Sequence, residues 1–431
     1  MNKIENRPLG TNEKVYWVLD QKTSTQFAVV AEVNGNATDQ AWRQALDTVQ
    51  KRHPNLSVQI LGNEYSTAYL KHVDDCKIPL KIIYTKTDEN WNSVIEEVLN
   101  QPFDITIAPL VRAVLIQQPG KSVFIFISNH SIGDGMSVTL VIRDVLTVLS
   151  GSTIDMLMPL SSLDELAGVP LRAVENQKIN GFMQLKNSLV SRSEVTVSRR
   201  KFSRTLTEKL IERAKREETT VHGVLSAAIV LALKQINTSM HEEPVRILHP
   251  LSARRSLSIG DDFGMLINIV TLPYNPAPEH TFWNFAREVR QGIASTQSAG
   301  WIQDDINATK ELFHNGLDVN TIEQALHQGT AHEIMLTNLG QLSFPTDYAG
   351  LALTSLWGPM VLTPHESAQT IGVATFNGAL TLTLTGLSPS SPILEAVDKI
   401  IDIVCNTEQD IQIDSFYQYP VTDLLSVDDH I

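Results

Sequence analysis

The chain has 431 residues, 42% of them hydrophobic and 19% charged, with a formal net charge of -14. This composition describes a folded globular protein of about two ordinary domains and excludes a disordered one. The acidic balance argues against nucleic-acid binding, which needs clustered Lys and Arg. The amino terminus, Met1-Asn2-Lys3-Ile4, lacks the apolar core of a signal peptide. The longest apolar run, near Leu225 to Leu233, is far shorter than the ~20 residues of a membrane span. Two separated cysteines, Cys76 and Cys405, form neither a disulfide framework nor a metal pair, so a cytoplasmic location is expected.

In chain order, Phe27 to Val33 is β-rich. Asp39 to Val49 has helical spacing, with Trp42, Ala45, Leu46 and Val49 on one face. Ser57 to Ile60 reads as a strand, and Trp91 to Leu99 as a helix behind the cap signal Asp88. Val111 to Gln117 and Ser122 to Ile127, joined across Gln118-Pro119-Gly120-Lys121, predict a hairpin. It leads into Ser128-Asn129-His130-Ser131-Ile132-Gly133-Asp134-Gly135. Val138, Val141, Ile142, Val145 and Leu149 then mark an amphipathic helix ending near Gly151.

From 151 to 200 the pattern weakens, as in a linker or crossover. Helices are expected at Leu206 to Arg216 and at His222 to Ile236, the second Ala-rich and buried on most faces. Strands follow at Val245 to Leu248, Leu266 to Leu272, Ile334 to Leu336 and Leu351 to Leu356. A further pair, Gly372 to Phe376 and Ala379 to Leu384, flanks the Asn377-Gly378 turn signal. A last helix, Ile393 to Val404, follows Ser391-Pro392. No repeat of solenoid length is present. The expected division is 1–165, a linker at 166–200, and 201–431.

His130 is the leading chemical candidate. A histidine at the end of a buried strand, on a glycine-containing turn, is placed to take up and return a proton near neutral pH. The spacing alone is weak, since His-x-x-x-Asp arises by chance in roughly every second chain of this length. Nucleophile-elbow, Walker, Rossmann and His-Glu-x-x-His motifs are absent, as is a Gly-x-Asp-Ser segment for a phosphopantetheine arm. His327 and His332 surround a turn and lack partners for a metal site, so no metal is expected.

Several segments together resemble the acyltransferases related to chloramphenicol acetyltransferase. Arg52-His53-Pro54-x-Leu56 is similar to their early helix-to-strand junction. Pro102-Phe103-Asp104 and Pro109-Leu110-x-Arg112-Ala113 resemble a segment of the condensation branch. His130-x-x-x-Asp134-Gly135 is the superfamily signature. Thr220-Val221-His222, Pro250-x-x-x-Arg254, Asp262-Phe263-Gly264 with Asn268, and Thr337-Asn338-Leu339-Gly340 continue the likeness through the second half. The longer Asp-Phe-Gly-x-Gly motif of the plant BAHD branch is not matched, because Met265 follows Gly264 mid-chain. Asn129 stands where many condensation domains carry a second histidine, which leans away from peptide condensation.

The resemblance implies a mixed α/β (α+β) fold. Two chloramphenicol-acetyltransferase-like subdomains, each a mixed sheet with flanking helices, would meet along a central channel. The 1–165 subdomain would carry the His130 motif. It implies acyl transfer from a CoA or carrier-protein thioester to an alcohol or amine, by direct attack with His130 as general base. Acyl-CoA or acyl-phosphopantetheine is then a co-substrate, with no permanently bound cofactor, and a monomer is expected. Asp134 is implied to turn away from the imidazole and pair with Arg254, or failing that Arg255, while Gly135 meets a backbone demand. Thr337 and Asn338 are candidates for the oxyanion or channel, and His365 is a weaker one. Two alternatives stand open: a free-standing condensation enzyme acting on carrier proteins in trans, and a catalytically silent docking module.

Overall fold

The computed structural model describes residues 6–20, 24–62, 68–86, 91–171, 195–314, 319–363, 365, 368–387 and 392–418. Most of the expected linker (172–194) lies outside them, as do the signals Asp88 and Ser391. Two six-stranded sheets organise the chain. The first has the order β12-β13-β2-β7-β6-β5: Asp347–Tyr348, Leu351–Val361, Gln26–Asn34, Lys121–Asn129, Val111–Gln118 and Leu80–Tyr84. The second has the order β10-β9-β11-β14-β15-β8: Ile267–Tyr274, Val245–Ser252, Ile334–Leu342, Gln369–Phe376, Ala379–Gly386 and Thr196–Lys201. Three short strands, β1 (Arg7–Pro8), β4 (Tyr69–His72) and β3 (Val58–Leu61), form a third sheet.

The apolar run Val123 to Ile127 is buried throughout because both faces of its sheet are covered. Alternation sorts its side chains. Phe124 and Phe126 join Trp42, Leu46 and Val141 beneath the helices Asp39–Arg52 and Gly135–Leu149, while Ile125 and Ile127 meet Trp91, Val98 and Trp357. The expected hairpin is present, with β6 and β7 antiparallel from Val111↔Ser128 to Gln118↔Lys121. The second hairpin turns at Asn377 and Gly378, with φ of 49° and 73°, the left-handed pair that a two-residue loop requires.

The Ala-rich helix is Val221–Ile236, packed against Phe282–Ala294 and Ile393–Asn406 in the core of the second sheet. Among the described residues, the helices Thr11–Leu19, Phe282–Ala294, Ala299–His314, Val319–Gly329 and Ile413–Gln418 went unread in the sequence. Among the described residues no single helix is long and apolar enough to cross a membrane.

Sheet membership departs from the sequence boundaries in two places. β8 begins inside the expected linker 166–200 yet pairs with β15 in the second sheet. β12 and β13 lie within 201–431, yet β13 pairs antiparallel with β2, from Ala352↔Asn34 to Val361↔Phe27. The strand bulges at Gly358-Pro359, where Gly358 takes φ of +111°. Pro359 there fills space that only glycines leave. A Cβ on Gly135 would lie 2.3 Å from Pro359 Cγ, and one on Gly372 would lie 2.1 Å from its carbonyl oxygen. The seam between the halves is therefore closed around this crossing strand.

Candidate active site

His130 directly follows β7, and its N–H donates to the carbonyl of Thr25 at 2.8 Å. The neighbouring Asn129 is fully buried and engaged at both ends. Its Oδ1 accepts from the Ser131 N–H at 2.9 Å, and its Nδ2 donates to Asp20 at 3.2 Å. Asp20 in turn accepts from the Thr25 N–H at 2.7 Å. Asn129 thus ties the turn to the end of the helix Thr11–Leu19.

The His130 side chain is 5% exposed. Tyr16 stacks on its ring, with centroids 4.1 Å apart and planes 15° apart, and Phe27 packs at 4.6 Å. Nδ1 is buried without an aligned hydrogen-bond partner. Burial pushes the imidazole pKa down to about 4, opposed by its own backbone, by the Asp134 carboxylate and by the Gly133 backbone. The ring is accordingly neutral at pH 7 and free to accept a proton.

Asp134 makes no hydrogen bond to the imidazole. It caps the helix Gly135–Leu149, accepting from the N–H and the hydroxyl of Ser137 at 2.7 and 2.8 Å. Its Oδ2 accepts from the Leu266 N–H at 3.1 Å. Arg254 lies 3.6 Å from its Oδ1 and donates to Ser137 Oγ, to the Asp262 carbonyl and to the Gly260 carbonyl at 2.8, 2.9 and 2.7 Å. Arg255 is exposed. The segment Asp262-Phe263-Gly264 closes over this loop. The Asp134 N–H donates to the Gly264 carbonyl at 3.2 Å, and the Phe263 ring fills the space where a Cβ on Gly133 would stand, 2.6 Å away.

Gly135 answers a demand of close approach, set by Pro359, and not of positive φ. Leu339 is its other neighbour, 3.4 Å from the same point, so the segment Thr337 to Gly340 reaches the start of the active-site helix. Thr337 and Asn338 sit on β11 and are half-buried. Asn338 Oδ1 accepts from the Gly340 N–H at 2.7 Å, which orients the amide. His365 goes elsewhere: it packs with His327 at 3.8 Å and His332 at 4.9 Å. His222 bonds His249 at 2.9 Å, which bonds the Tyr274 hydroxyl at 3.0 Å. Among the described residues no group of His, Cys, Asp or Glu is arranged to hold a metal ion.

The sequence missed Tyr16 and Asn129 as parts of this site. It also gave no role to the Arg52-His53 pair, whose side chains both hold Asp144 of the active-site helix, at 2.8 and 2.9 Å. The arrangement presents a buried, neutral imidazole on a braced turn at the seam of two sheet-containing halves.

Comparison with known proteins shows which families share this two-lobed architecture. The condensation-domain model matches residues 17–157, and the model for the C-terminus of phthiocerol/phthiodiolone dimycocerosyl transferase matches residues 191–385. The chain thus matches a condensation-domain model in its first half and a dimycocerosyl transferase model in its second. Tyrocidine synthase 3 of Brevibacillus parabrevis is 24% identical over 311 residues, 67% of this chain. Gramicidin S synthase 2 of Aneurinibacillus migulanus is 22% identical over 288 residues, 60% of this chain. The chain spans only 5% of the length of the first relative and 6% of the second. Two solved structures share the fold. Polyketide synthase associated protein 5 from Mycobacterium tuberculosis has a TM-score of 0.65 at 16% identity, over 94% of this chain and 98% of that one. The first condensation domain of the CDA synthetase has a TM-score of 0.70 at 14% identity, over 96% and 99%.

Proposed function

We propose that this protein transfers an acyl group from a CoA or carrier-protein thioester to an alcohol or amine, with His130 as general base. The observation that carries the reading is the state of His130: buried, neutral, and fixed on a turn where both halves meet. The acceptor O–H or N–H would give its proton to the imidazole as its lone pair bonds to the thioester carbonyl carbon. The tetrahedral oxyanion then collapses, the C–S bond breaks, and the thiolate leaves with the proton from the imidazolium. No acyl-enzyme forms, and much of the rate comes from holding two substrates together. Asn338 is the proposed oxyanion donor, since its carbonyl end is already held by Gly340 and its NH2 is left to point elsewhere.

Asp134 and Arg254 support this chemistry by fixing the loop, not by touching the imidazole. The fully engaged Asn129 favours an acyltransferase of the alcohol or polyketide-associated kind over a peptide-forming one. The condensation relatives keep a carrier-dependent reaction as the second reading. The test is direct. Purified protein is offered acyl-CoAs of several lengths, or acylated carrier protein, with a pool of alcohols and amines, while free thiol and product mass are followed. Turnover that survives His130→Ala sinks the mechanism. Turnover with carrier protein alone selects the condensation reading, and none with either donor leaves a docking module.

A further inference from the structure

From the packing around the imidazole we infer that Tyr16 is a positioning residue, which holds the His130 ring in its reactive orientation by stacking on it. This rests on His130 being the general base.

A histidine base is ordinarily oriented through its second ring nitrogen, by a carboxylate or carbonyl. Here the backbone of His130 and of Gly133 lies near the ring without an aligned bond to Nδ1, and the carboxylate is turned away. Nδ1 has no aligned partner, and the oxygens of Asp134 are taken by Ser137, Leu266 and Arg254. What remains is ring packing. Tyr16 lies nearly parallel to the imidazole at 4.1 Å, and Phe27 adds a tilted contact at 4.6 Å.

Tyr16 is itself well placed to hold a fixed plane. It stands on the helix Thr11–Leu19, whose Glu13 is bonded bidentately by Arg7 at 2.7 and 2.6 Å, and whose Thr11 bonds Asp164 at 2.6 Å. The end of that helix is joined to the His130 turn through Asp20, Thr25 and Asn129. The phenol is kept protonated, since burial and the nearby Asp134 carboxylate both raise its pKa. Asp134 is the charged group facing the imidazole from its own loop, Tyr16 the titratable group facing it from the helix, and Phe27 adds no charge from β2. The same stack that orients the ring keeps water from it.

The experiment compares Tyr16→Leu and Tyr16→Phe with the wild type. Tyr16→Leu removes the stack. kcat is expected to fall about 100-fold, the cost of a reacting group misplaced by about 1 Å, with KM little changed. The acid limb of the pH profile should move up from about 4 toward the ordinary histidine value of about 6.5. Tyr16→Phe keeps the ring and should rescue both. Carbethoxylation of His130, mapped by mass, gives a readout that needs no turnover, and it should speed up in Tyr16→Leu only. Unchanged kcat, acid limb and modification rate in a folded Tyr16→Leu protein would overturn the proposal. So would a Tyr16→Phe variant as impaired as Tyr16→Leu, which would assign the effect to the hydroxyl. The base reading fails separately, through retained turnover in His130→Ala.

Discussion

Asp134 and Arg254 come from opposite halves of the chain and share the hydroxyl of Ser137, with 3.6 Å between their charged groups. Asp134 is fully buried, so its charge depends on these contacts. Losing one member of such a buried pair typically costs about 3–5 kcal/mol. Asp134→Ala and Arg254→Ala should each lower the melting temperature and abolish turnover together. Arg254→Lys should not rescue, since one ammonium cannot reproduce the fork to Ser137, Asp262 and Gly260. Activity retained at wild-type level in Arg254→Ala would refute the bracing role.

The pH dependence of catalysis follows from the depressed imidazole. In the proposed mechanism only a neutral His130 takes the acceptor proton, and burial holds its pKa at about 4. kcat/KM should therefore be flat in this residue from neutrality downward and fall with a midpoint near that value. A midpoint at about 6.5, the ordinary histidine value, would mean that the ring is solvated in the working enzyme.

Stability should respond to acid over a higher range. His222 and His365 are held at about 4 and His249 at about 2, each by burial first. An unfolded histidine titrates near about 6.5, so the unfolded chain binds more protons as pH falls below that value. The stabilisation is complete above about pH 6.5 and is lost progressively from there, through about 4 for His222 and His365 and toward about 2 for His249. The melting temperature should decline over that interval. The decline should be shallower in the double variant His222→Gln, His249→Gln.

Asn129→His, which writes the double-histidine motif of many condensation domains into this chain, should damage the protein. Imidazole cannot serve both Ser131 N–H and Asp20 in the space of a fully buried amide. A loss of about 1–3 kcal/mol is expected, the cost of leaving a buried donor unmet. Denaturant titration measures it, and a parallel assay with carrier-bound aminoacyl donors should show no gained activity.

Gly135→Ala drives a methyl into Pro359 at 2.3 Å. Overpacking of this kind costs about 1–3 kcal/mol. Because Pro359 is held between Gly135 and Gly372, the strain should appear as lower stability and lower kcat together. Calorimetry and steady-state kinetics on one sample would show whether they separate.

Much of this was legible in the sequence. The Val123 to Ile127 run, the Asn377-Gly378 turn and the apolar stripe of Gly135–Leu149 each announce themselves through local chemistry. The helices between Phe282 and Gly329 went unread. Phe282, Phe285, Ala286, Val289 and Ile293 do stand at helical spacing on one buried face, a signal the sequence carried and the reading passed over. Tyr16 was invisible for another reason: its significance lies in a contact across 114 residues, which no local period encodes. The membership of β13 in the first sheet is likewise a matter of partner choice. An alternating apolar segment fits either sheet equally well.

That strand carries a consequence for how the protein is made. On a ribosome, Gln26–Asn34 emerges early and can pair on one side once Lys121–Asn129 has followed it. Its other side waits for Leu351–Val361, more than three hundred residues later. Throughout that delay the nascent chain exposes an open, apolar sheet edge, the surface on which chains associate wrongly. Slowing elongation before residue 361 is therefore expected to increase aggregation of the nascent chain, and slowing it afterwards is not.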